Sequence, residues 1–498
     1  MGRRLTIRFV WLALAAAVAA AAQTAVVRQK LAQARELVLS GRAADAVPIY
    51  EELLEASPDN PGLMMNLAVA RFKAGQYEKV IPLCRKILER RPDAVGAWLF
   101  LGASRFQTGR YEEAIKPLRK VLAAKPNERN ARLMLGEALL QLGRPEEAVV
   151  ELERAAELLP REPRVWYGLE RGYTLLAERA ERDLERLGRG SAWWHAAAGD
   201  LFFRREDYGR ALHHYRQALE LRPDFPGLRR TIARLYRAAG KPEWAQAEEA
   251  KASRNPPDCS AWPGACDALA GKFVAAVSRL AKETSAAAYY WKAVACRKRA
   301  QQAFARLEVL PECEQLHELR ARRLDELARF RQAAAEWRKA LALAPGNYAL
   351  QKGLALSLYR DRDWEGALPL FEKLARQKPG DPDVAYFLGR TLLQTGKPGE
   401  AVPHLRRAAS LTPDRFEARA ALGEALLKTG RAAEAVAHLK ATLPEDEDGS
   451  FHFQLARAYQ MSGQPDLARE AIQKYQQLRR EAEKRRKALD RDYPLTPP

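Results

Sequence analysis

Cysteine is scarce, with five in 498 residues. None of them forms C-x-x-C or C-x-x-C-H, so thioredoxin-like redox chemistry and c-type haem attachment have no support. Histidine is also scarce, with seven residues that do not group as ligands. His213 and His214 are adjacent on a helix and point apart, while His404 and His438 mark one repeat position in successive units. No metal site is expected. G-x-S-x-G, H-E-x-x-H and the P-loop pattern are missing as well, which leaves no nucleophile–base set and no phosphate cradle. Neither an enzymatic reaction nor a cofactor is expected. Long apolar runs are lacking beyond the N-terminus, so no later segment is able to span a bilayer.

The N-terminus itself has a pattern. Arg3, Arg4 and Arg8 precede an apolar run from Phe9 to Ala22, which closes on Ala20-Ala21-Ala22. A positive region, a short hydrophobic stretch and small residues read as a secretory signal cleaved near Ala22. The alternative is an uncleaved anchor over Phe9 to Val27, the only route by which this chain would contact a membrane. Either way the remainder is expected outside the cytoplasm, periplasmic or secreted.

Net charge is +20, from 83 Lys plus Arg against 63 Asp plus Glu. Such an excess favours anionic surfaces. The basic residues are nevertheless interleaved with acids, as in Glu112-Glu113…Lys116…Arg119-Lys120, which reads as a solvated helix face. Export argues against nucleic acid as a partner.

What the chain has in abundance is period. Pro58, Pro92, Pro126 and Pro160 recur at one constant interval, and Gly41, Gly75, Gly109 and Gly143 keep the same one. The spacing returns in Pro345, Pro379 and Pro413 and in Gly396 and Gly430, and Gly463 follows one residue early. Within a unit, Trp98, Leu101, Gly102 and Arg105 share one helix face, and Ala114, Leu118 and Val121 share another. Small residues recur where two such helices would cross: Ala68, Gly102, Gly136, Gly199, Gly389 and Gly423 on first helices, with Ala114, Ala148, Ala211, Ala367, Ala401 and Ala435 on second ones. The glycine between them ends the first helix in a left-handed conformation. Pro48, Pro82, Pro369 and Pro403, with Pro117 one register later, are expected within the first turn of second helices, where no hydrogen bond is lost.

Trp98-x2-Leu101-Gly102…Tyr111…Ala114…Leu118…Pro126 resembles the tetratricopeptide repeat, W-x2-L-G-x2-Y…A-x3-F…P, whose period of about 34 residues is the interval kept here. The resemblance implies an all-α, right-handed superhelical solenoid of antiparallel helix pairs, about twelve units by pattern. Two stretches lose the rhythm. Pro163 to Gly190 and Ser285 to Leu310 lack the interhelix glycine, and each reads as one longer helix. Residues 1–22 are thus a signal or anchor, 23–253 an N-terminal array and 254–313 an irregular cysteine-containing joint. Residues 314–498 form a C-terminal array whose last helix is basic.

Cys84 occupies a core slot of a second helix. Cys259 and Cys266 flank the turn-forming Ser-Ala-Trp-Pro-Gly-Ala and are the expected disulfide. Cys296 and Cys313 would be ~20 Å apart if a helix runs to Leu310, beyond disulfide reach. Asp446 and Asp448 lie in an acidic loop and are expected to be solvated.

The resemblance also implies a concave surface lined by set first-helix positions. Carried over, these are Met65, Val69 and Phe72, then Leu99, Ala103 and Phe106, then Leu133, Glu137 and Leu140, an apolar stripe. The unit from Pro226 places Arg230, Arg234 and Arg237 there, and later units Lys352 and Tyr359, then Tyr386 and Arg390. The same side chains have an alternative role in packing on the next unit. Leu31 and Arg35 in the first unit, and Leu356 after Lys352, depart from the family's carboxylate clamp, so no clamp is expected. Two uses of the surface stay open: gripping a segment of a protein partner, or holding an anionic envelope polysaccharide or lipid headgroup through the arginines and the basic C-terminal helix.

Overall fold

The computed structural model describes residues 26–254, 256–489 and 493–498; the expected signal or anchor segment, 1–22, lies outside the described residues. Helix accounts for 78% of the described residues, with no strand among them. Nor is any helix among them long and apolar enough to cross a membrane.

Helices of 13 and 14 residues alternate: Pro61–Lys73 with Tyr77–Arg90, Val95–Gln107 with Tyr111–Ala124, Arg129–Gln141 with Pro145–Leu158. Each apolar face is buried against its partner and the next pair. Gly136 lacks a side chain where Leu152 crosses; a Cβ there would lie 2.6 Å from Leu152 Cγ. The turn between helices is set by a left-handed residue. Gly75 has φ 74°; its N–H donates to Phe72 O at 3.1 Å and that of Gln76 to Arg71 O at 2.9 Å. These two bonds satisfy carbonyls that the helix end leaves open.

Three turns use the same conformation without glycine. Glu206, Ala328 and Arg362 have φ 61°, 55° and 64°, and the following amides, Asp207, Arg329 and Asp363, make the same backward bond at 3.0, 2.8 and 2.9 Å. All three stand in the repeat register of Gly240, Gly396 and Gly430.

The prolines differ from expectation. Pro48, Pro82, Pro369 and Pro403 are each the sixth residue of their helix and Pro117 the seventh, so each removes an intrahelical bond. Pro117 is buried, and the carbonyl it frees, that of Glu113, accepts from Arg105 Nη1 at 3.0 Å. The other four are tolerated because Pro48, Pro82, Pro369 and Pro403 are exposed, as are Ala44, Glu78, Glu365 and Gly399 four residues back. The freed carbonyls there lie on the solvent side.

The helices sort into two compact units, one comprising the chain to Ala180 with residues 292–306, the other Glu181–Trp291 with Leu307–Pro498. Both irregular stretches are single long helices, Pro163–Gly188 and Ala286–Glu308. In the first unit, residues 292–306 pack beside helices from much earlier in the chain. Arg299 donates to both oxygens of Glu153 at 2.7 Å, Tyr173 donates to Glu153 at 2.9 Å, and the guanidinium lies 6.0 Å from the Trp166 ring centre.

In the second unit, Trp193 contacts Phe225 and Trp262 at ring separations of 4.3 and 5.2 Å, and Tyr290 contacts Phe225 at 5.4 Å. Arg222 lies over both Trp193 and Trp262. The loop carrying Trp262 is closed by a Cys259–Cys266 disulfide, alpha carbons 5.6 Å apart. Two short helices, Pro263–Leu269 and Phe273–Leu280, follow it.

Asp446 also departs from expectation. It is buried, accepts from the His452 amide at 2.8 Å and faces His452 Nδ1 at 2.5 Å. Standing shortly before His452, it satisfies an amide near the start of Ser450–Met461 that has no intrahelical acceptor. Asp448 remains at the surface and accepts from Ser450 N at 2.9 Å.

Candidate functional site

The positions singled out for a groove divide by chemistry. In the first unit Met65, Phe72, Leu99, Phe106 and Leu140 are half-buried, and Leu133 is buried. Several of them pack on neighbouring helices. Met65 Cε lies beside Gly96. Phe72 meets Tyr77 at 5.2 Å and Phe100 of the next pair at 5.3 Å. Phe106 meets Tyr111 at 5.6 Å, and Leu140 reaches Gly172 on the following helix. Met65, Phe72 and Leu140 therefore join pair to pair and Phe106 packs within its own pair, all keeping part of their surface exposed. Glu137 is bonded to Arg164 of the next pair at 2.9 Å through Nε, and burial raises its carboxyl pKa above the usual range.

The basic stripe in the second unit is real as a surface. Arg230, Arg234 and Arg237 are all exposed along Leu228–Ala238. Arg237 is paired with Glu249, and Arg234 donates to Thr231 Oγ1 at 3.0 Å.

Farther along, the groove positions are tied together by charge. Lys352 bridges Asp381 at 2.9 Å and Asp383 at 3.0 Å. Arg415 reaches Asp383 at 2.7 Å and lies 4.5 Å from the Tyr386 ring centre. Arg390 pairs with Glu424 at 2.7 Å. Tyr359 and Tyr386 both pack on Phe387, at 5.1 and 5.0 Å. Burial opposes the charge on Asp381 and Asp383, yet the Lys352 hydrogen bonds prevail and both carboxyls stay below their ordinary range. Lys352, Arg390 and Arg415 are thus each paired with a carboxylate, and this face is internally neutralised.

Basic residues also pair with acids of the preceding unit. Arg110 pairs with Glu78, Arg144 with Glu112 and Arg179 with Glu146. Each bond joins the second helix of one pair to the helix one repeat on, a regular ladder that the composition alone does not show.

No group of three or more His, Cys, Asp or Glu side chains placed to hold a metal ion occurs among the described residues. His195 and His214 do approach, Nδ1 to Nδ1 at 3.1 Å. Burial and then the neighbouring His195 and His213 push His214 down to about 4, so the pair is neutral near pH 7 and shares one hydrogen bond. Cys84 and Cys296 are buried thiols, each raised by burial to about 12; neither is activated as a nucleophile.

Models of the tetratricopeptide repeat match residues 37–98, 71–129, 105–171, 202–266 and 392–454, with further models at 319–382 and 449–474. No curated protein matches the chain. Among solved structures, YrrB, described as a TPR protein with an unusual peptide-binding site, is 24% identical, covering 34% of this chain and 91% of its own, at TM-score 0.31. MamA of AMB-1 is 24% identical over 32% of this chain and 96% of its own, also at TM-score 0.31. A tetratricopeptide repeat protein from Parabacteroides merdae ATCC 43184 is 13% identical over 67% of this chain and 98% of its own, at TM-score 0.33. With matching models over more than half of its length, and the constant register built as stacked helix pairs, the chain belongs to the tetratricopeptide repeat family.

Proposed function

We propose that the protein is a non-enzymatic scaffold of the cell envelope that binds a segment of a protein partner along its first-helix positions. The observation that carries this reading is the family itself: stacked helix pairs present repeated, preorganised side chains along one face, which suits gripping a chain rather than transforming a small molecule. Half-buried Met65, Leu99 and Phe106 offer apolar area worth ~25 cal/mol per Å² once covered, less the ordering of the partner. Tyr359, Tyr386 and Arg390 offer a polar, aromatic face farther on. Export is supported by Arg3, Arg4, Arg8 and the apolar run that follows, and by the Cys259–Cys266 disulfide, a bond that persists in oxidising compartments.

The test is to express the chain with an affinity tag in its native envelope and identify what co-purifies at low and at high salt. The expected result is a discrete protein that survives high salt. Material lost as salt rises, or only glycan or lipid, would replace this reading with anionic-ligand binding through Arg230, Arg234 and Arg237, since exposed charge pairs are screened over about 10 Å at 0.1 M.

A further inference from the structure

Residues 493–498, Tyr-Pro-Leu-Thr-Pro-Pro, run extended and without helix, and they lie against the second unit on the helices Tyr208–Leu221 and Leu228–Ala238. Arg216 Nη2 donates to the carbonyl of Pro497 at 2.6 Å and to that of Thr496 at 3.2 Å, and Nη1 donates to Thr496 Oγ1. Tyr236 OH donates to the Thr496 carbonyl at 2.8 Å. The Tyr493 ring packs on His213 at 4.3 Å.

Two independent features mark this as a built site. First, the contacted residues share one property. Tyr493, Thr496 and Pro497 each precede a proline, and a following proline holds a residue extended. A polyproline-type segment has no internal hydrogen bonds, so its carbonyls are free for donors such as Arg216 and Tyr236. Second, the helix is cut away to admit the backbone. The second residue is glutamate in Tyr77–Arg90, Tyr111–Ala124, Pro145–Leu158 and Pro242–Arg254; glycine stands there in Pro398–Leu411, where nothing lies close, and at Gly209, beneath the tail. A Cβ at Gly209 would collide with the Tyr493 carbonyl oxygen. None of these contact residues is among the groove positions, so the shelf is a separate surface.

We infer that Gly209, His213, Arg216 and Tyr236 form a binding shelf for extended proline-rich peptides, and that the chain's own Tyr493–Pro498 fills it in cis and competes with such a peptide on a partner. The inference rests on the reading of the protein as a peptide-binding scaffold. The shelf recognises main chain through two donors and selects for an aromatic residue before proline, three positions ahead of a second residue that precedes proline. Tethering makes the cis segment an intramolecular ligand at an effective concentration of order millimolar. A weak site is thereby kept closed until a tighter or more abundant segment displaces it.

The experiment uses the full chain and a fluorescein-labelled synthetic Tyr-Pro-Leu-Thr-Pro-Pro peptide, read by anisotropy. Tyr493→Gly with Pro494→Gly, Pro497→Gly and Pro498→Gly frees the shelf, and the probe is expected to bind this variant at least about tenfold tighter than wild type. Adding Gly209→Glu is expected to abolish that binding with the circular dichroism of the helices unchanged. Tyr236→Phe, which removes one donor and keeps the ring, is expected to weaken it without abolishing it. Equal affinity for wild type and the freed variant, no binding to the freed variant, or binding indifferent to Gly209→Glu would each overturn the inference. If the probe fails while a salt-stable partner still co-purifies, the shelf alone is lost; if both fail, the scaffold reading falls with it.

Discussion

Ala328 sits at φ 55°, a conformation that pushes its Cβ towards the following carbonyl at a cost of about 1–2 kcal/mol. Glycine avoids that strain but loses more freedom on folding, so Ala328→Gly is expected to stabilise the second unit by up to about 1 kcal/mol. A urea unfolding midpoint that rises without a change in slope would bear this out; a midpoint that falls would show that the turn is not strained. The position was legible only in part. Gly41, Gly75, Gly109 and Gly143 announce their turns by identity, whereas Glu206, Ala328 and Arg362 do so only by counting back whole repeats from Gly240 and Gly396. Composition says where a left-handed residue is cheap; register says where it is required. Asp446 gave no such signal. An aspartate in an acidic loop looks solvated until the fold places His452 and its amide against it.

Helices were read well where a pair is contiguous in sequence and poorly where its partner lies elsewhere. The alternation of apolar faces fixed Val95–Gln107 against Tyr111–Ala124, because both faces repeat within one unit. It also marked Pro163–Gly188 and Ala286–Glu308 as long helices, from the missing glycine. What packs against them has no period to betray it. Residues 292–306 join the first unit through Arg299, whose side chain is only 13% exposed beside a Glu153 that is 22% exposed. Removing one partner of such a pair leaves a poorly solvated charge, and Tyr173 loses a well-placed acceptor geometry with it. Arg299→Ala is therefore expected to lower the stability of the first unit by about 2–3 kcal/mol. Arg110→Ala, which breaks an exposed bond to Glu78, is expected to cost under about 1 kcal/mol. Hydrogen exchange localised to the helices around Glu153 would check the difference. Equal effects from the two substitutions would mean that residues 292–306 do not anchor that unit.

For the molecule as a whole, the family was legible from the period and the matching repeat models agree with it. The surface it uses was less so, for a physical reason. First-helix positions serve both the contact between units and the face left open, and a single side chain such as Phe72 or Leu140 does both. Pattern alone does not divide the two roles. The prolines of Tyr493–Pro498 mark an extended tail, but its docking was not legible: an extended segment carries no periodicity, and its partners lie far back in the sequence. The face that remains is tested by substitutions that remove apolar area without emptying the core. Met65 and Leu99 meet that need, both half-buried and on successive first helices. The decisive measurement is the affinity of the co-purified partner, by calorimetry, for the wild-type chain and for Met65→Gln with Leu99→Gln. A loss of roughly tenfold or more with helical content unchanged is expected, since covering the exposed half of two such side chains is worth about 1.5–3 kcal/mol together. An unchanged affinity in a folded variant would contradict it and move binding away from the first-helix face.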